Sequence, residues 1–175
     1  MRSLSFLLGC AVILTAGPGR AAEPPIGEWL VKDGYAQVRI ENCGGALWGV
    51  ISWEARPGGR DNENPDPALR GRPVLGMPIL LDMKEKTVSN WGTKEQRWVG
   101  HVYNSENGKT YDANIKLQNP NVMRMEGCLA GFLCMGQDWA RVSGPAPAPQ
   151  SKGPAPKSLP KGGLAAVDVC ARINH

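Results

Sequence analysis

Histidine is almost missing from this sequence: His101 and His175 are the only two in 175 residues, too few for a multi-histidine metal cage. Aromatic residues reach 6% and charged residues 21%, and a formal net charge of +4 gives no dense polyelectrolyte character. No C-x-x-C pair occurs, which removes the spacing used by thiol oxidoreductases and zinc ribbons. A G-x-S-x-G elbow, an H-E-x-x-H helix, a phosphate-binding loop and a dinucleotide glycine pattern are also lacking. No apolar run approaches the roughly 20 residues that a membrane-spanning helix needs. On these grounds no catalytic residue, no metal site and no cofactor is assigned, and the chain is read as not transmembrane. What is abundant is 22 Gly and 15 Pro, and both residues penalise helix interiors, so a helical bundle is disfavoured.

Residues 1–22 read as a secretory signal peptide. Arg2 supplies the positive start, Leu4 to Leu14 form the short apolar run, and Gly19-Arg20-Ala21 offers small side chains at a cleavage point. Export to the periplasm or the medium follows. Without that segment, four basic residues (Lys152, Lys157, Lys161, Arg172) and one acid (Asp168) lie beyond Ser143. The stretch 23–143 then holds 14 basic and 15 acidic residues, net −1. A core of that charge argues against nucleic acid as a partner, because such affinity rests on neutralising phosphates.

Cys10 leaves with the signal, so Cys43, Cys128, Cys134 and Cys170 remain, an arrangement suited to an oxidising compartment. Cys128 and Cys134 lie close enough in sequence to join across a tight turn. Cys43 is the further disulfide candidate, with either of them as its partner. Cys170, in the tail, is expected to be free or intermolecular.

From Pro24 to Ser143 short strands alternate with turns. Ala36-Gln37-Val38-Arg39-Ile40-Glu41 and Tyr111-Asp112-Ala113-Asn114-Ile115-Lys116-Leu117 alternate apolar and polar side chains, as strands with one wet face do. Asn107-Gly108 tolerates positive φ and marks a hairpin before the second of these. Further strands are expected at 29–31, 46–53, 74–82, 87–91, 97–103, 121–126 and 137–142, about nine in all. His101 falls in one of them, as a wall residue. Neighbouring antiparallel strands close into a small up-and-down barrel, because closure removes exposed edges. Residues 144–163, with six Pro, read as a disordered linker. Residues 164–175 form a short C-terminal segment with at most one small helix.

The excursion 54–73 is too long for a hairpin turn, and such loops often carry function. Its acids suggest calcium, but an EF-hand register starting at Asn62 puts Pro67 where Gly is needed and Pro73 where the bidentate Glu belongs. Glu54, Asp61, Glu63 and Asp66 also supply carboxylates for a hydrolase reading. The six tryptophans (Trp29, Trp48, Trp53, Trp91, Trp98 and Trp139) each sit in or beside an expected strand. Core packing is their ordinary role, although a small barrel also uses aromatics to line a cavity mouth.

Several stretches, taken in order, carry a family resemblance. They are Gly27-Glu28-Trp29, Val38 to Cys43, Asp61 to Arg70, Arg72 to Met77, Trp98-Val99-Gly100, Asn107 to Tyr111, Gly127-Cys128 and Cys134 to Arg141. Over residues 26–143 this order resembles the exported bacterial family DUF2147, a domain of unknown function. The resemblance implies a lipocalin-like (calycin) barrel with no established catalytic activity and apolar ligands of fatty-acid type. Gly27-x-Trp29 is similar to the first-strand signature of lipocalins, where Trp closes the barrel base under a basic residue of the last strand. Arg141 is the candidate for that cover. Many relatives carry a second Cys where this chain has Trp48, so a disulfide there is lost or rerouted.

The reading is therefore an all-β, lipocalin-like barrel over 23–143, exported and non-enzymatic, holding a small apolar ligand. Trp48, Trp53, Trp98, Tyr103 and Tyr111 are the candidate cavity residues, with Asp61, Asn64 and Asp66 on a lid at the rim. Trp48 and Trp53 have opposite parity, so one of them is expected to face inward. The rival is a ligand-free module whose basic, proline-rich tail reaches an envelope component, or whose Cys170 joins a partner.

Overall fold

The structure, a computed structural model, describes residues 23–90, 92–130, 133–144 and 168–173. The signal segment 1–22, Trp91 and most of the 144–163 linker lie outside the described residues.

Eight antiparallel strands close into one barrel in sequence order. They are β1 (Gly27–Leu30), β2 (Ala36–Cys43), β3 (Ala46–Glu54), β4 (Pro78–Asn90), β5 (Thr93–Asn104), β6 (Lys109–Asn119), β7 (Val122–Leu129) and β8 (Leu133–Arg141). The seam is short: Trp29 pairs with Arg141 and Leu30 with Ala140. Period-two patterning decides the faces. In β2, Val38 and Ile40 are fully buried, whereas Arg39 points outward and bonds Glu41 at 2.6 Å and Glu28 at 3.3 Å. In β6, Ala113 and Ile115 enter the core from the same alternation. Trp29, Ile40, Leu47, Leu80, Ile115, Met123 and Trp139 fill the barrel with next to no exposure, and each such side chain contributes roughly 1.5–3 kcal/mol by leaving water.

The expected strands 74–82 and 87–91 are one element, β4, which runs unbroken from Pro78. Asp82 adopts φ 49° and the pairing with β5 slips between Leu81 and Lys84. This bulge resets which side chains face inward, so the two halves of one strand have the pattern of two.

Cys128 and Cys134 pair across the β7–β8 turn, with Cα atoms 3.9 Å apart. Cys43 bonds Cys170 (Cα–Cα 5.4 Å), which corrects two expectations: Cys170 is neither free nor intermolecular, and Cys43 does not reach Cys128 or Cys134. A four-residue helix, α1 (Val169–Arg172), packs on β2 and β3. Val169 is fully buried there against Val50, beside Cys43 and Trp48. One helical turn cannot hold itself. Burial of Val169, the Asp168 cap on Ala171 N–H (3.0 Å) and the covalent bond hold it together.

Candidate functional site

The two ends of the barrel differ. One is plugged. The Arg141 guanidinium lies 4.3 Å from the Trp29 ring centroid, a cation–π contact of about 0.5–2 kcal/mol. Arg141 also donates to the carbonyls of Pro120 (2.6 Å) and Ile26 (2.7 Å), while the Trp29 indole donates to Pro25 (2.9 Å). Gly27, at φ 121°, leaves room for the guanidinium: a Cβ there would stand 3.0 Å from Arg141 Nη1.

The other end is open, with a cavity of about 870 Å³. Its inner wall is Val31, Ala36, Ile51, Val74, Ile79, Val102, Met125 and Trp139. Tyr103 and Tyr111 line it as well, and Tyr35, Asp33, Glu54, Arg56 and Glu106 belong to its lining from the turns and loops. The upper wall is the cavity side of the β7–β8 hairpin. Alternation from Met123 and Met125 on β7, and from Trp139 on β8, puts Leu129, Leu133 and Met135 on that side. They remain 57%, 58% and 81% exposed. Most exposed apolar residues on a protein are scattered; these three share one face and one opening.

Sequence reasoning placed Asp61, Asn64 and Asp66 at a ligand rim. None of the three lines the cavity. Asp61 is fully buried and Asn64 nearly so. The Asp61 carboxylate accepts from the Tyr103 hydroxyl at 2.6 Å, from Asn64 Nδ2 at 2.7 Å and from Arg72 Nε at 2.9 Å. Burial pushes the Asp61 carboxyl up, but the hydrogen bonds from Tyr103, Asn64 and Arg72 outweigh it and hold the carboxyl below its ordinary value. The Tyr103 phenol is pushed up to about 12, by burial first and then by its bond to Asp61. Asp66 accepts from Ala68 N–H at 2.9 Å and caps a short 3-10 turn. The acidic loop is thus a latch. It ties the 54–73 excursion to β5, and the hydroxyl of a wall residue is its bolt. Gly108 completes the seat: a Cβ there would fall 1.8 Å from the Glu63 carbonyl oxygen.

The aromatic candidates separate too. Trp98 is a core residue of the barrel interior, and Tyr103 and Tyr111 line the cavity. Trp48 packs outside, against the cluster that holds Val169. Trp53 is buried but belongs to neither the central cluster nor the cavity lining. Parity counting misleads here because the β2–β3 register slips between Gln37 and Val38, leaving Ser52 without a partner between Ile51 and Trp53. Of the lining residues, sequence reasoning named only Tyr103 and Tyr111 as cavity residues; those it missed include Tyr35, Leu129, Leu133 and Met135. The signal that could have found the last three is inward parity persisting to the tip of a hairpin.

Among the described residues no helix is long and apolar enough to cross a membrane, and the two disulfides fit an extracytoplasmic compartment. A closed eight-stranded antiparallel barrel, plugged at one end by a Trp–Arg pair and open at the other, defines a lipocalin-like fold. The chain belongs to the family DUF2147, described as an uncharacterized protein conserved in bacteria, which it matches over residues 27–141. Among solved structures it is similar to protein HP1028 from the human pathogen Helicobacter pylori, described as belonging to the lipocalin family. That likeness has a TM-score of 0.57 at 21% identity, over 70% of this chain and 85% of the other. No curated protein matches it.

Proposed function

We propose that this protein is a non-enzymatic carrier that holds a small, largely apolar ligand in the open end of its barrel. The observation that carries the reading is the bare wall of Leu129, Leu133 and Met135, exposed on the cavity side of a disulfide-linked hairpin. Apolar surface concentrated at the mouth of a concave site is the usual mark of a ligand pocket. What supports a non-catalytic role is the state of the acids. Asp61 is saturated with donors, and neither it nor Asp66 lines the cavity.

Native and denaturing mass spectrometry of protein taken from its own cells tests this. A native mass exceeding the denatured mass by a discrete, extractable amount is the expected result. A bare mass across several growth conditions overturns it. The variant Leu133→Asp should abolish the excess mass while leaving the melting temperature within a few degrees, since an exposed side chain contributes little to folding.

A further inference from the structure

The barrel is closed unevenly. β8 has nine residues, but only Ala140 and Arg141 pair with β1. Past Leu30 the neighbouring chain leaves the sheet: Val31 N–H donates to the Ala36 carbonyl at 3.1 Å, and a 3-10 turn follows at Lys32–Gly34. The backbone of β8 fixes which of its groups face that gap. Arg141 N–H goes to Asn121 on the β7 side at 2.9 Å, and Val142 N–H goes to Glu28 on the β1 side at 2.9 Å. In an antiparallel strand successive residues turn their N–H and C=O to opposite edges. Cys134, Gly136 and Asp138 therefore turn theirs toward the β1 side. All three are exposed, and none has a backbone partner on that side among the described residues. Nothing blunts this edge, for residues 133–138 include no Pro, Lys or Arg, the usual guards of a free strand. The intervening side chains Leu133, Met135 and Gln137 all line the cavity. Val31, Gly34 and Tyr35 line it from the β1–β2 turn, so what enters between is narrower than a second sheet.

A row of unpaired N–H and C=O groups is matched by another peptide backbone and by no hydrocarbon. We infer that the ligand is an extended peptide segment that adds a strand to β8 at Cys134, Gly136 and Asp138 and sends every second side chain into the cavity, beside Leu133 and Met135. This rests on the carrier reading and names the ligand's chemistry: main chain for the edge, aliphatic side chains at alternate positions for the cavity.

A capped hexapeptide alternating valine and threonine tests it, with dodecanol as an apolar probe that has no peptide backbone. Both are titrated into the intact protein and followed by its amide spectrum and by hydrogen exchange. At saturation the peptide should slow exchange at Cys134, Gly136 and Asp138 at least tenfold. Met135 and Gln137, whose amides already face β7, should not change. Two further peptides carry N-methyl groups on the valine amides or on the threonine amides, so that each has one edge of its extended backbone blocked. One of them should bind at least tenfold more weakly than the other. Equal binding of the two, or binding of the parent peptide without alternating protection, overturns the inference. So does protection that rises with protein concentration in the absence of peptide, which would assign the edge to a second copy of the chain. Binding of dodecanol but not of the peptide overturns the inference while leaving the carrier intact. Failure of both to bind overturns the carrier reading and this inference together.

Discussion

A single buried carboxylate, Asp61, decides how the longest loop of this barrel is held. Its three donors come from Tyr103 on β5 and from Asn64 and Arg72 on the excursion itself. Asp61→Ala strands those donors, and the cost should be about 2–4 kcal/mol, read as a shift of the chemical denaturation midpoint. Tyr103→Phe should cost about 1–2 kcal/mol, less because Asn64 and Arg72 stay in place. The sign with pH is fixed by the depressed Asp61 carboxyl. Its contribution is complete above the ordinary aspartate value near 3.9 and is lost as pH falls through the lower value it has when folded. The stability difference between wild type and Asp61→Asn should therefore shrink as pH falls below about 4. That Asp61 mattered was legible in the sequence; that it would be a latch was not. Acids followed by proline look alike whether they meet a ligand, a metal or a tyrosine hydroxyl some forty positions away.

At the scale of elements, the strands stand where alternation and turn residues put them, and the failures share one cause. Val38 and Ile40 in β2, and Ala113 and Ile115 in β6, could be assigned to the core by eye. Trp48 and Trp53 could not, and β4 has the pattern of two strands, because a register slip lies inside each counted window. A bulge leaves no mark on composition, yet it exchanges the two faces for every residue beyond it. The Asn107-Gly108 turn was legible, but its second duty was not. Gly108 has φ 66° and lies under the Glu63 carbonyl, so Gly108→Ala meets both backbone strain and a collision. The variant should lose about 1–3 kcal/mol, and limited proteolysis should cut the 54–73 excursion faster than in wild type.

The whole molecule is a barrel with two covalent constraints of different reach. Cys128–Cys134 spans a separation of 6 and Cys43–Cys170 a separation of 127. Loop-closure entropy alone assigns roughly 2 kcal/mol to the first and about 5 kcal/mol to the second. The pair Cys43→Ser/Cys170→Ser should accordingly lower the melting temperature more than Cys128→Ser/Cys134→Ser. A near-equal effect would show that the larger ring is not felt in the unfolded chain. Connectivity of this kind is beyond sequence, because four cysteines allow three pairings and only the docking of Val169 beside Cys43 selects among them. The bond between Cys43 and Cys170 also settles how a mechanical load would travel. The closure of the barrel between β1 and β8 is its shortest joint, held at Trp29 and Leu30. Tension arriving from beyond α1 would otherwise pull on Arg141 and unzip that joint one bond at a time. Delivered through Cys170, it enters at Cys43, on a strand paired along its length with β3. A load on that path bypasses the two paired positions of the β1–β8 seam.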